Sequence, residues 1–165
     1  MPDVLNPDGS ISDDRWLKLE DDQSVVADAE IIVSLARWQS QRDALLAEAG
    51  AVGVYIDNTE DLDALPRNTF DGASLITLHF PAFTDGRAYS QARVLRERLG
   101  FTATLRACGE VLHDQLFYML RCGFDSFEMP ANLKPDQVQN VLRTFSVAYQ
   151  PTASGPQLQR AGSLN

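Results

Sequence analysis

From about residue 29 onward, hydrophobic positions fall into two alternating textures. Short, near-continuous apolar runs, AEIIVSL (29–35), VGVYI (52–56), SLITLHF (74–80), TATLRA (102–107) and FDSFEM (124–129), are separated by longer segments with apolar residues at helical spacing. The runs have strand length, and their continuity predicts burial on both faces, as in a parallel sheet covered by helices. Between them, WQSQRDALLAEAG (38–50), RAYSQARVLRERLG (87–100) and EVLHDQLFYMLRCG (110–123) predict helices closed by Gly50, Gly100 and Gly123. PDQVQNVLRTFSVAY (135–149) predicts a last helix with Pro135 at its start. NTEDLDAL predicts a short acidic helix, capped by Asn58 or Thr59 and stopped before Pro66.

The alternation predicts an α/β fold of about five βα repeats with a parallel sheet. A partial TIM-like barrel is favoured, and an open flavodoxin-like sheet is the alternative. No glycine-rich dinucleotide fingerprint follows the first strand, which argues against a Rossmann site. A partial barrel leaves strand edges exposed and would favour self-association into a homo-oligomer. Residues 1–28 read as an N-terminal arm in which Trp16, Leu17 and Leu19 form a short strand docked on the body. Residues 29–149 read as one α/β domain, and 150–165 have the composition of a disordered tail.

Composition narrows the function. A chain of 165 residues suits one domain, and no stretch approaches the roughly 20 apolar residues that span a membrane. MPDVLNPDGSISDDRW lacks the basic start and apolar centre of a secretion signal, so a cytoplasmic protein is expected. A net charge of −9 argues against nucleic acid or an anionic membrane as partner. Cys108 and Cys122 match no disulfide framework or redox pair, and the two histidines and two cysteines make no metal-ligand cluster. No metal and no cofactor is expected.

The basic residues are unevenly placed. Only Lys18 and Lys134 are lysine, and six arginines (Arg87, Arg93, Arg96, Arg98, Arg106 and Arg121) fall between 87 and 121 among three acids. Ligands of parallel α/β folds collect at the C-terminal strand ends. There the sequence offers Asp57, Asn58, Pro81, Phe83, Thr84, Asp85, Gly86, Arg87, Arg106, Cys108, Gly109 and Glu128. Thr84 or Asp85 caps the helix at 87, with Gly86 allowing a tight turn. Arg87 and that helix start could also cradle an oxyanion, with Arg106 aimed at the same place and Gly109 leaving a second helix start open. Ala88, Ala92, Leu95 and Leu99 form the core stripe of that helix. Arg93, Arg96 and Arg98 therefore read as a surface face, available for docking a partner protein. His79 ends a buried strand and reads as a core histidine.

Several stretches resemble a family of small bacterial proteins known by the label DUF934: DRW (14–16), VGV (52–54), FPAFTDGRAYSQARVLRERLGF (80–101), LRACGEVLHDQLFYMLRCGFDSFEM (105–129) and FSVAYQ (145–150). Members are described as oxidoreductases of sulfite reduction, and their genes typically sit beside those of sulfite reductase. The resemblance implies a role in assimilatory sulfur metabolism with sulfite reductase as partner. It carries over no cofactor and no catalytic residue. The functions it leaves open are an accessory or binding protein of sulfite reductase and a small oxidoreductase or oxyanion-binding subunit working at the strand ends.

Overall fold

The computed structural model describes residues 3–82, 84–129 and 134–148. One sheet contains β1 (Asp3–Leu5), β2 (Ile11–Asp13), β3 (Leu17–Lys18), β4 (Glu30–Ser34), β5 (Ala51–Ile56), β6 (Leu75–Phe80), β7 (Thr104–Gly109) and β8 (Ser126–Glu128). Their order is β2-β1-β8-β7-β6-β5-β4-β3. All neighbours from β3 to β8 are parallel, whereas β1 is antiparallel to both β2 and β8.

The α/β class therefore holds, but the sheet is mixed rather than purely parallel. The reason lies in the N-terminal arm, which is built into the sheet. The Asn6–Ser10 turn, closed by Asn6 N donating to Ser10 O at 2.8 Å, makes β1 and β2 a hairpin, and a hairpin is antiparallel by construction. The sequential order β4 to β8 lacks the reversal of a flavodoxin-like sheet.

β2 and β3 are separated only by Asp14–Trp16, yet they pair at opposite edges of the sheet. Eight flat strands would span roughly 33 Å, whereas four residue steps reach at most about 14 Å. The sheet must curl, and it forms a half-barrel whose edges Asp14–Trp16 ties together.

Helices cover the convex side. α1 (Leu35–Glu48) follows β4 directly and is capped by Ser34, whose Oγ accepts from Arg37 N at 3.1 Å. α2 (Arg87–Arg93) runs into a π-helical turn, Val94–Arg98. A 3₁₀ turn, His113–Gln115, precedes α3 (Leu116–Cys122), and α4 (Pro135–Ala148) closes the described chain. Val54, Ile76, Leu105 and Phe127 of the strands pack with Trp38, Ala92, Leu95, Leu116 and Met119 of the helices in one apolar core. Trp38 is fully buried there, and its indole N–H donates to Thr69 O at 2.8 Å.

The acidic helix expected at 58–65 is replaced by consecutive turns. Asp57 Oδ2 accepts from Thr59 N at 3.2 Å, and Asp61 Oδ1 accepts from Asp63 N at 2.9 Å. These aspartates bind the local backbone in place of a helical ladder. Gln91 then staples the segment to α2 by donating to Asp57 O and Glu60 O, both at 2.9 Å.

Candidate functional site

Successive strand residues face opposite sides, so the core residues leave a second set pointing away from the helices. The register aligns Tyr55, Thr77, Arg106 and Ser126 across β5 to β8, with His79 beside Cys108 one step nearer the strand ends. This is the concave side. β3 and β7 are four strands apart, about 19 Å on a flat sheet. Lys18 of β3 nevertheless lies 5.8 Å over the Tyr55 ring and close enough to bias the Cys108 thiol.

The deeper half of this face is a buried ion pair. Arg106 Nη1 donates to Asp14 Oδ1 at 3.1 Å, and Arg106 Nε donates to Ser126 Oγ at 3.2 Å. Ser126 Oγ in turn donates to Leu5 O at 2.8 Å. The pair pins the Asp14–Trp16 tie to β7 and gives the DRW stretch a structural role.

The half nearer the strand ends carries the chemistry. Cys108 Sγ lies 3.9 Å from His79 Nδ1 and accepts from Thr77 Oγ1 at 3.1 Å. Burial pushes the thiol up, and Glu128 adds to this; Thr77, Lys18 and Arg106 oppose it. Tyr55, tilted against the His79 ring with centroids 5.9 Å apart, is pushed up to about 12, chiefly by burial. Asp57 is held below the ordinary carboxylate range, mainly by the Thr59 hydroxyl and less by the nearby His79 and Arg87. Tyr55, Asp57, His79 and Glu128 are half-buried around a buried thiol floor. Polar groups gathered from several strand ends, with the titrations of Tyr55, Asp57 and Cys108 displaced, are the usual makings of a functional site.

Gly109 seats this group. Its φ is +87°, and a Cβ there would lie 2.4 Å from Phe80 O and 2.9 Å from His79 Nδ1. Only glycine allows the His79 ring to rest against this backbone. The expectation that Gly109 opens a helix start is corrected, because β7 runs on to residue 109 and the next helical turn begins at His113. The same extension of β7 places Arg106 mid-strand rather than at a strand end.

The other expected residues form a separate group. Asp85 accepts from Arg87 N at 3.1 Å, and it pairs with the Arg87 side chain at 3.1 and 2.8 Å. Asn58 Nδ2 also donates to Asp85, at 2.7 Å. The hydrogen bonds from Arg87 hold the Asp85 carboxyl down at about 2. Thr84 is exposed, and Gly86 has an ordinary φ of −92°, so the turn needs no glycine there. Phe83 lies outside the described residues. Arg87 lines a cavity of about 320 Å³ with Asn58, Ser90 and Gln91, whereas Arg106 lines another of about 550 Å³ with the N-terminal hairpin. The two arginines are thus not brought together.

The helical arginines also divide. Arg93 is exposed, as expected. Arg96 is not, and the expectation of a surface residue is corrected. It donates to Gly123 O at 3.0 Å and to Phe101 O and Ala103 O, both at 2.8 Å, and it pairs with buried Asp125 at 3.4 Å. The π-helical turn shifts the phase of the helix after residue 93. Gly123, with φ +112°, leaves room for the arginine stem, since a Cβ there would meet Arg96 Cγ at 2.7 Å. Arg98 is half-buried and ties down the 57–65 segment by donating to Leu62 O and Leu65 O.

His79 and Cys108 were the residues whose pairing sequence reasoning missed. They lie 29 positions apart, and only the β6–β7 register brings them together.

The fold and site define an α/β protein with a curled mixed sheet and a polar cluster at the ends of its parallel strands. No helix among the described residues is long and apolar enough to cross a membrane. The family model for DUF934, described as bacterial protein of unknown function, matches residues 53–159, and the chain belongs to that family. No curated protein and no solved structure matches the chain.

Proposed function

We propose that this chain is an accessory or binding protein of assimilatory sulfite reduction that docks on sulfite reductase through the α2–α3 face. The pathway follows from the family resemblance. The observation that carries the docking reading is Tyr118, which is 43% exposed, packs at a tilt against Tyr89 with ring centroids 4.7 Å apart and lies beside exposed Arg93. Phe80 backs Tyr89 at 5.0 Å and Phe124 backs Phe80 at 5.7 Å, so an aromatic ladder runs from the core to this surface. Tyrosine and arginine on a rigid base are the residue types that dominate interface energies. On a chain of net charge −9, exposed Arg93 beside the tyrosine pair suits an acidic partner surface.

A second reading, an oxyanion-binding subunit, draws on Arg87, whose side chain is 60% exposed and pairs with Asp85. For sulfite to bind there, the partly buried Asp85, also held by Asn58 at 2.7 Å, has to release the guanidinium. Native mass spectrometry of the protein with sulfite reductase, and of the protein alone with sulfite, addresses both readings. The docking reading expects a salt-sensitive complex weakened at least tenfold by Arg93→Glu and by Tyr118→Ala. A complex indifferent to both substitutions would refute it. The oxyanion reading expects a sulfite adduct that Arg87→Ala abolishes; an unchanged adduct would exclude Arg87.

A further inference from the structure

We propose that Cys108 and His79 form a sulfur-accepting site, in which the Cys108 thiol takes the terminal sulfur of a small persulfide, RS–SH. This goes beyond the docking reading and shares no residue with the α2–α3 face, so either can fail alone. The geometry places a nucleophile beside a base, with Cys108 Sγ 3.9 Å from His79 Nδ1, at the outer reach of a sulfur hydrogen bond, while the thiol donates to Leu78 O at 3.5 Å. The imidazole is not there by default, since Gly109 gives up its side chain and takes a positive φ so that the ring fits beside Cys108. Thr77 Oγ1, two residues before His79 on the same neighbouring strand, donates to the sulfur and can hold the thiolate once it forms.

Shape and charge select the substrate class. Cys108 is only 2% exposed, with half-buried His79 beside it and half-buried Tyr55 and Glu128 within electrostatic reach. A bulky group is therefore excluded, and among sulfur electrophiles a terminal –SH demands the least room. Burial and Glu128 raise the basicity of the thiol, offset only in part by Thr77, Lys18 and Arg106, so the step depends on His79 taking the proton, and the thiolate once formed is strongly nucleophilic.

The step balances without a further reagent. His79 takes the thiol proton, and the Cys108 sulfur attacks the terminal sulfur of RS–SH. The donor S–S bond breaks with its electron pair passing to the R-bearing sulfur. A new bond gives Cys108–S–SH, and His79 returns the proton so that the donor leaves as RSH. The sulfur atom moves at constant overall oxidation state, with one S–S bond broken and one made.

Cys122, 4% exposed and beside Arg93 rather than an imidazole, is an internal control for burial. The protein is treated with glutathione persulfide and mapped by peptide mass spectrometry. The expected result is one added sulfur atom on the Cys108 peptide, with the Cys122 peptide unmodified. His79→Gln should slow uptake by about 100-fold. Equal modification of both cysteines, none at Cys108, or an unchanged rate in His79→Gln would each overturn the proposal. Should that variant fail to fold, the comparison of the two cysteines in the unaltered chain still decides.

Discussion

On the convex side β5, β6 and β7 carry Val54, Ile76 and Leu105; one residue further on, their concave side carries Tyr55, Thr77 and Arg106. Thr77 and Arg106 are buried as deeply as the apolar residues behind them. Burying an aliphatic side chain stabilises by about 1.5–3 kcal/mol, whereas a buried ion pair roughly breaks even against its desolvation. The concave side is therefore a poor source of stability for the volume it occupies. The difference teaches that the two faces answer to different demands. The helix-covered face holds the fold together, and the concave face is built to keep particular polar groups in place.

The largest expected effect tests that division directly. Arg106→Ala would leave Asp14 charged, buried and without its guanidinium partner, and should cost about 3–5 kcal/mol in chemical denaturation. Replacing both members with leucine should instead leave stability within about 2 kcal/mol of the parent or raise it. If the double replacement is as damaging as the single one, the pair is a stabilising element and the contrast between the faces collapses.

Gly109→Ala should have a smaller effect on stability and a clear one on the site. A side chain at φ +87° is strained, and its contact with Phe80 O is to backbone that cannot simply swing aside. A loss of about 2 kcal/mol is expected. Because the same methyl group meets the His79 ring, sulfur uptake at Cys108 should fall further than the stability change explains. A variant with full stability and unaltered uptake would show that Gly109 does not position His79.

The contrast also explains which parts of the molecule were legible in the sequence. Near-continuous apolar runs located β4 to β8, and the stripe Ala88, Ala92, Leu95, Leu99 marked the buried side of its helix. β1 and β2 escaped because three-residue strands in a polar arm carry almost no periodic signal. The acidic segment after β5 misled because its aspartates bind nearby backbone, a choice that helix propensity does not register. Arg96 misled because a π-helical turn changes the residue spacing within a single helix. Of the site, the local turn was readable as far as Asp85 accepting from Arg87 N, although Gly86 rather than Thr84 or Asp85 holds the cap position. The approach of His79 to Cys108 was not, since it depends on strand register and on a glycine whose role is steric.

The smallest effect separates the concave site from the docking face by pH. Tyr55 on the one and Tyr89 on the other are both pushed up to about 12, chiefly by burial, from an ordinary value of 10.0. As pH rises through 10 toward 12, the unfolded chain gives up both phenol protons while the folded chain still holds them. Stability contributed by these groups is complete below pH 10 and is lost as pH climbs through that window. Tyr55→Phe and Tyr89→Phe should each flatten the alkaline slope of the unfolding free energy. Cys108→Ser should ease ionisation of Tyr55 alone, since the Cys108 charge is the second cause of its shift, whereas Cys122 occupies that position for Tyr89. Phenolate absorbance of the folded protein checks this: a Tyr55 titration unmoved by Cys108→Ser would mean that the thiol and the phenol do not share the concave site.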